Sequence, residues 1–176
     1  MSGDFTVIIR NRVRFGDLKK DSGEVDHDSD ADLLGESGLF PFLCPGVDTS
    51  QQAVLQFAHR GSSQSLRFPD PQPDGGLVGI SAEHPVRING VLLAGGIPAA
   101  PVRDRMSLWS TRLLLIPPHV LRRDNKLLIE TTTVDTGGRL DNFTLDNLVV
   151  FFKTRQFIRL PIDVTGELEE NTAQPG

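Results

Sequence analysis

The segment PVRDRMSLWSTR, Pro101–Arg112, holds the densest set of side chains suited to recognising a polar ligand: Arg103, Asp104, Arg105, Trp109 and Arg112. An indole ring can stack on a pyranose face, while guanidinium and carboxylate groups fork neighbouring hydroxyls. That chemistry points to a carbohydrate. A sole Trp is, however, more often found packing the rim of a core, and the absence of Tyr counts against a dedicated glycan reader. A second candidate lies in GRLDNFTLDNLVVFF, where Asp141-Asn142 and Asp146-Asn147 stand five residues apart. In one regular strand an odd spacing sends the two carboxylates to opposite faces. Asp141 and Asn142 join the ligand candidates; the ordinary alternative is that both pairs satisfy turn and backbone groups at the strand entry, the second as a polar anchor or bulge.

Asp26, Asp28 and Asp30 occupy alternate positions in DHDSDAD, an arrangement that invites a calcium ion. A calcium loop of the EF-hand type beginning at Asp26 needs Gly sixth and Glu twelfth, where Ala31 and Ser37 stand. A solvated acidic loop is the favoured reading, and no other cofactor is expected. Arg10, Arg12 and Arg14 form a stripe that fits either an anion, the acidic loop or the charge device of an edge strand; the last is preferred. His27, His59, His84 and His119 are scattered without zinc spacing, and serine-elbow, Walker and dinucleotide-binding patterns are absent. The chain is therefore expected not to be an enzyme.

The bulk properties narrow the partners. With 176 residues the chain has the size of one domain, and 17 Gly and 12 Pro favour turns over long helices. A formal net charge of −5 argues against a general nucleic-acid or anionic-membrane surface, both of which need a positive field. Cys44 stands alone, so no internal disulfide is expected, and with neither a signal peptide nor an apolar span in view the default location is cytoplasmic.

The elements that must carry these residues read as strands. Val7, Ile9, Val13 and Phe15 alternate with Thr6, Arg10, Arg12 and Arg14, predicting one half-buried strand. Residues 16–38 read as an exposed loop. Leu39–Asp48 is apolar but interrupted by Pro41 and Pro45, predicting an irregular plug in place of a helix or central strand. Asn89-Gly90 between apolar runs predicts a type I′ hairpin. Strands follow around Leu113–Ile116, Leu127–Glu130 and Phe143–Phe152, with a further edge strand in RQFIRLPI. Residues 1–162 form one expected domain, and 163–176 an acidic tail without fixed structure.

Asn89-Gly90, Trp109, Ile116-Pro117, Asn125 and Asp146-Asn147 fall where the later strands of galactose-binding-like β-sandwiches carry matching residues. The stretch from Val86 to Lys153 thus resembles that jelly-roll superfamily, which includes carbohydrate-binding modules and sugar-binding domains of glycosidases; Arg123 stands where the pattern has Gly. The resemblance implies an all-β jelly-roll of two packed antiparallel sheets. Its implied role is a non-catalytic binding or assembly domain, with carbohydrate or protein as partner. A structural homo-oligomer subunit is the alternative. In support of that alternative, a regular strand through Asp146 would put Phe143, Leu145, Val149 and Phe151 on one side and Leu148, Val150 and Phe152 on the other. Both sides would then need cover, from Phe40 and Phe42 or from a second copy.

Overall fold

The computed structural model describes residues 2–16, 31–61, 84–98, 108–132 and 140–155. These form ten strands and no helix: β1 (Ser2–Ile9), β2 (Val13–Phe15), β3 (Asp32–Gly35), β4 (Ser37–Leu43), β5 (Ala53–Arg60), β6 (Val86–Ile88), β7 (Val91–Leu92), β8 (Ser110–Ile116), β9 (Asp124–Glu130) and β10 (Phe143–Thr154). Two sheets pack face to face as a β-sandwich. The larger runs β3-β2-β10-β5-β8 with β1 also on β10, and the smaller runs β4-β9-β6-β7. Among the described pairs only β2–β3 is parallel.

Alternation builds the core. In β5, Ala53, Leu55, Phe57 and His59 point inward, and in β9 Asn125, Leu127 and Ile129 do the same. They meet Val86, Ile88, Leu114, Ile116, Leu145 and Val150 in one continuous apolar layer. The hairpin at Asn89-Gly90 forms as the residues require, with φ of 52° and 85° and Ile88 paired to Val91. Asn89 also ties that turn to the next one. Its amide donates to Val120 O and to Asn125 Oδ1, each at 2.8 Å, while Asn125 Oδ1 accepts from Arg122 N at 2.9 Å. Two of the residues that carry the galactose-binding-like resemblance thus have structural duties.

Four expectations change. The first strand is split into β1 and β2 by residues 10–12, which belong to neither, and a separate irregularity between Val7 and Ile9 within β1 shifts the alternation and turns Val7 outward. Part of the expected 16–38 loop is strand: β3 adds to β2, and β4 begins at Ser37. The segment around Pro41 is an ordered edge strand, not a plug; an edge position leaves the missing N–H of Pro41 without cost to a ladder. Finally, β10 contains a bulge between Asp146 and Val149, with Asn147 at φ 52°. A bulge adds one residue and shifts the phase. Phe143 and Leu145 therefore share the inner face with Leu148, Val150 and Phe152, while Val149 and Phe151 turn out. The second side is not covered by Phe40 and Phe42, since Phe42 is buried in the inter-sheet core and Phe40 packs against it. The proposed edge strand in RQFIRLPI and the 163–176 tail lie outside the described residues.

Candidate functional site: the outer face of the large sheet

The bulge decides what the solvent side of the large sheet presents. Toward the β10 C-terminus, pairing places Phe5, Phe151, Val54 and Leu115 in one row across four strands. The next row is Val7, Val149, Gln56 and Leu113. Phe5, Leu113 and Leu115 are each 59% exposed and Phe151 is 42% exposed. Phe5 and Phe151 lean on one another at 6.2 Å between ring centroids. An apolar band of this width is uncommon on a surface that meets only water.

Toward the β10 N-terminus the same face becomes cationic. Arg14 and Arg60 flank Thr144 from the two neighbouring strands. Arg12 Nε lies 3.4 Å from Asp146 Oδ2. Trp109, just before β8, receives both guanidinium groups: Arg60 at 4.8 Å and Arg12 at 5.4 Å from the ring centroid. Burial and the neighbouring Arg12 charge both push the Arg60 pKa down. Arg60 was not singled out from the sequence. Its only signal was its outward phase in β5, beside a Trp whose strand pairing was then unknown.

Trp109 and Arg112 do not share a site. Their odd spacing puts them on opposite faces, as alternation dictates. Arg112 turns inward and donates from Nη2 to Gly95 O at 3.1 Å, which ties the edge of the large sheet to the chain beyond β7. Asp141 is also internal: its Oδ2 lies 2.8 Å from His84 Nε2. The Asp141 and Asp146 carboxylates thus do lie on opposite sides, as their spacing requires. Asn142 sits at the mouth of β10 against Gly16, whose φ of 117° and lack of Cβ make room for the Asn142 side chain. Among the described residues, Asn142 Oδ1 and Arg112 Nε have no hydrogen-bond partner. Arg103, Asp104 and Arg105, and the metal candidates Asp26, Asp28 and Asp30, lie outside the described residues.

The His84 cluster was not legible in advance. Its ring stacks on Phe143 at 4.3 Å, and Phe143 stacks on Phe15 at 4.9 Å. The Thr132 backbone N–H donates to Nδ1 at 3.1 Å, so Nδ1 accepts and the ring proton sits on Nε2, facing Asp141. The Thr132 hydroxyl also lies 3.1 Å from Nδ1. A hydroxyl, an imidazole and a carboxylate in line suggest a nucleophile relay. Here the backbone N–H already occupies the lone pair a general base would use, and the ring is fully buried. The arrangement is that of a satisfied inter-sheet tie. Cys44 is equally internal; burial pushes its thiol up to about 12. Among the described residues no group of three or more His, Cys, Asp or Glu is placed to hold a metal, and no helix is long and apolar enough to cross a membrane.

No family model and no curated protein matches the chain. Among solved structures it aligns with a wild-type glycoside hydrolase 86 enzyme in complex with neoagarooctaose, at TM-score 0.41 and 12% identity over 85% of this chain and 19% of that one. A variant of that enzyme with the same oligosaccharide gives the same score and identity over 18% of its length. The chain spans about a fifth of those enzymes. A likeness of that size says nothing about what this chain binds.

Proposed function

We propose that the protein is a non-catalytic binding and assembly domain that engages a protein partner through the outer face of its large sheet. The observation that carries this reading is the pair of apolar rows from Phe5 to Leu115 and from Val7 to Leu113, exposed across four strands. Residues on that face contribute little to the inter-sheet core, so their apolar character needs another reason. A photoreactive amino acid at Leu113, in the chain expressed in its own host, should give a discrete protein adduct. The same probe at Arg123, on the smaller sheet's side of the molecule, should not. No adduct from Leu113 would remove this function.

A carbohydrate ligand is the second reading, favoured by the half-exposed Trp109 ring with Arg12, Arg60 and Asp146 around it. Against it, two guanidinium groups already use the ring. The galactose-binding-like jelly-roll assignment, carried by Asn89, Asn125 and Asp146-Asn147, is compatible with both. A glycan array separates them: specific binding abolished by Trp109→Ala would favour the sugar.

A further inference from the structure

A strand at the edge of a sheet carries backbone N–H and C=O groups that a further strand can pair with, and proteins blunt such edges by short length, Pro, bulges or cover. Among the described strands the other edges are blunted. β7 has two residues and β3 four, and β4 carries Pro41 near its middle. β1 is irregular between Val7 and Ile9, and its Thr6 hydroxyl donates to Leu43 O of β4 at 2.6 Å. β8 has none of these devices. It runs seven residues, Ser110–Ile116, in unbroken register with β5, without Pro, Gly or a bulge. Among the described residues no backbone group on its far side is bonded. Its one charge, Arg112, turns inward to Gly95 O, which leaves Thr111, Leu113 and Leu115 along the solvent side of the edge.

We propose that β8 is a docking edge whose occupant is β8 of a second copy, paired antiparallel about Leu113. The strand fits itself. Leu113 is the midpoint of Ser110–Ile116, so this register pairs all seven residues. It leaves Pro117 and Pro118, of which neither can donate to a ladder, outside the pairing. On the solvent side Leu113 meets its own copy and Leu115 meets Thr111. On the inner side Arg112 meets Leu114, so no like charges face one another. Leu113, 59% exposed, gains cover from an identical side chain. The two six-stranded sheets become one, and the row Val7, Val149, Gln56 and Leu113 continues without a break into the same row of the second copy. The pairing uses the edge of the large sheet, whereas the function proposed above uses its face, so each stands without the other.

A contact of this size lies at the small end of specific interfaces, so the full chain should show the mass of two copies in sedimentation equilibrium at about 0.1 mM. Leu113→Lys sets two ammonium groups opposite one another and should return the mass of one copy with the β-sheet circular dichroism unchanged. Phe5→Lys, on the outer face three strands from the edge, should remain a dimer. Cysteines read the register, and they serve where Leu113→Lys does not fold. Leu113→Cys meets its own copy, whereas the two copies of Leu115→Cys lie roughly 13 Å apart. Under mild oxidation the first should form a disulfide-linked dimer on the order of tenfold faster than the second; Cys44 is buried and stays silent. A wild-type monomer at that concentration would overturn the proposal. So would a dimer that Leu113→Lys leaves intact or Phe5→Lys breaks, or equal crosslinking at the two positions. The Leu113 photoprobe keeps the two readings apart: an adduct of two copies reports the edge, and an adduct with a different protein reports the face.

Discussion

Adjacent phenylalanines in β10 have opposite fates, and the bulge at Asn147 is the reason. Phe152 is buried at 4% exposure while Phe151 is 42% exposed. Phe152→Asp buries an unpaired charge and loses a ring, so it should lower the urea unfolding free energy by about 3–5 kcal/mol. Phe151→Asp should stay within about 1 kcal/mol of wild type. Comparable loss at both positions would mean that the bulge does not set the phase. Asn147 itself holds φ 52°, which a β-branched side chain resists. Asn147→Val should cost about 1–2 kcal/mol and Asn147→Gly much less, read in the same urea titration. His59 provides a pH signature. Burial, then the Arg112 charge and then His84, lower its pKa below the ordinary 6.5. The unfolded chain therefore takes up the proton first. Stability is fully present above pH 6.5 and is lost as pH falls from there toward the lowered native value. In His59→Phe the unfolding midpoint should fall less between pH 7 and pH 5, on the scale set by the unfolded imidazole.

Strands whose evidence is local were readable, and those whose evidence is elsewhere were not. The Asn89-Gly90 turn carries its own backbone preference, whereas Ala53–Ala58 reads equally as a strand or a short helix and becomes β5 through its pairing with β10 and β8. The β10 bulge leaves no mark in composition, because one extra residue between Asp146 and Val149 looks like a regular strand until its partners β1 and β5 are known. β3 is four residues of mixed polarity and exists because β2 offers it an edge. β4 was mistaken for a plug because Pro41 bars a central strand, whereas an edge strand tolerates it. The candidate site followed the same rule. Trp109 was visible as a residue type, but its contacts with Arg12 and Arg60 join three segments far apart in sequence. The hairpin remains the sharpest test at this scale. Gly90 sits at φ 85°, so Gly90→Val should cost on the order of 1 kcal/mol or more, seen as a lower melting temperature; an unchanged melt would contradict the turn.

At the scale of the whole molecule, the two sheets are held together by an apolar layer crossed by buried polar ties. His84 precedes β6 of the small sheet and Thr132 follows β9, while Asp141 precedes β10 of the large one. The tie therefore fixes how the sheets meet at the mouth of β10, close to where Asn142 and Gly16 interlock. Its energetic character follows from burial. The Asp141 carboxylate, at 3% exposure, loses a short hydrogen bond when the imidazole is removed and has little access to solvent to replace it. His84→Phe preserves a ring on Phe143 but removes the Nε2–H that Asp141 accepts, and should destabilise by about 3 kcal/mol. Asp141→Leu strands the Nε2–H instead and should cost less, about 1–3 kcal/mol. The double variant, with a ring and an aliphatic chain meeting across the gap, should recover a large part of the sum. A double-mutant cycle in urea reads the coupling directly. Coupling near zero would mean the pair does not join the sheets. Strong coupling with a wild-type far-ultraviolet spectrum would instead show that the tie fixes the seating of one intact sheet on the other, and with it the shape of the outer face that the large sheet presents.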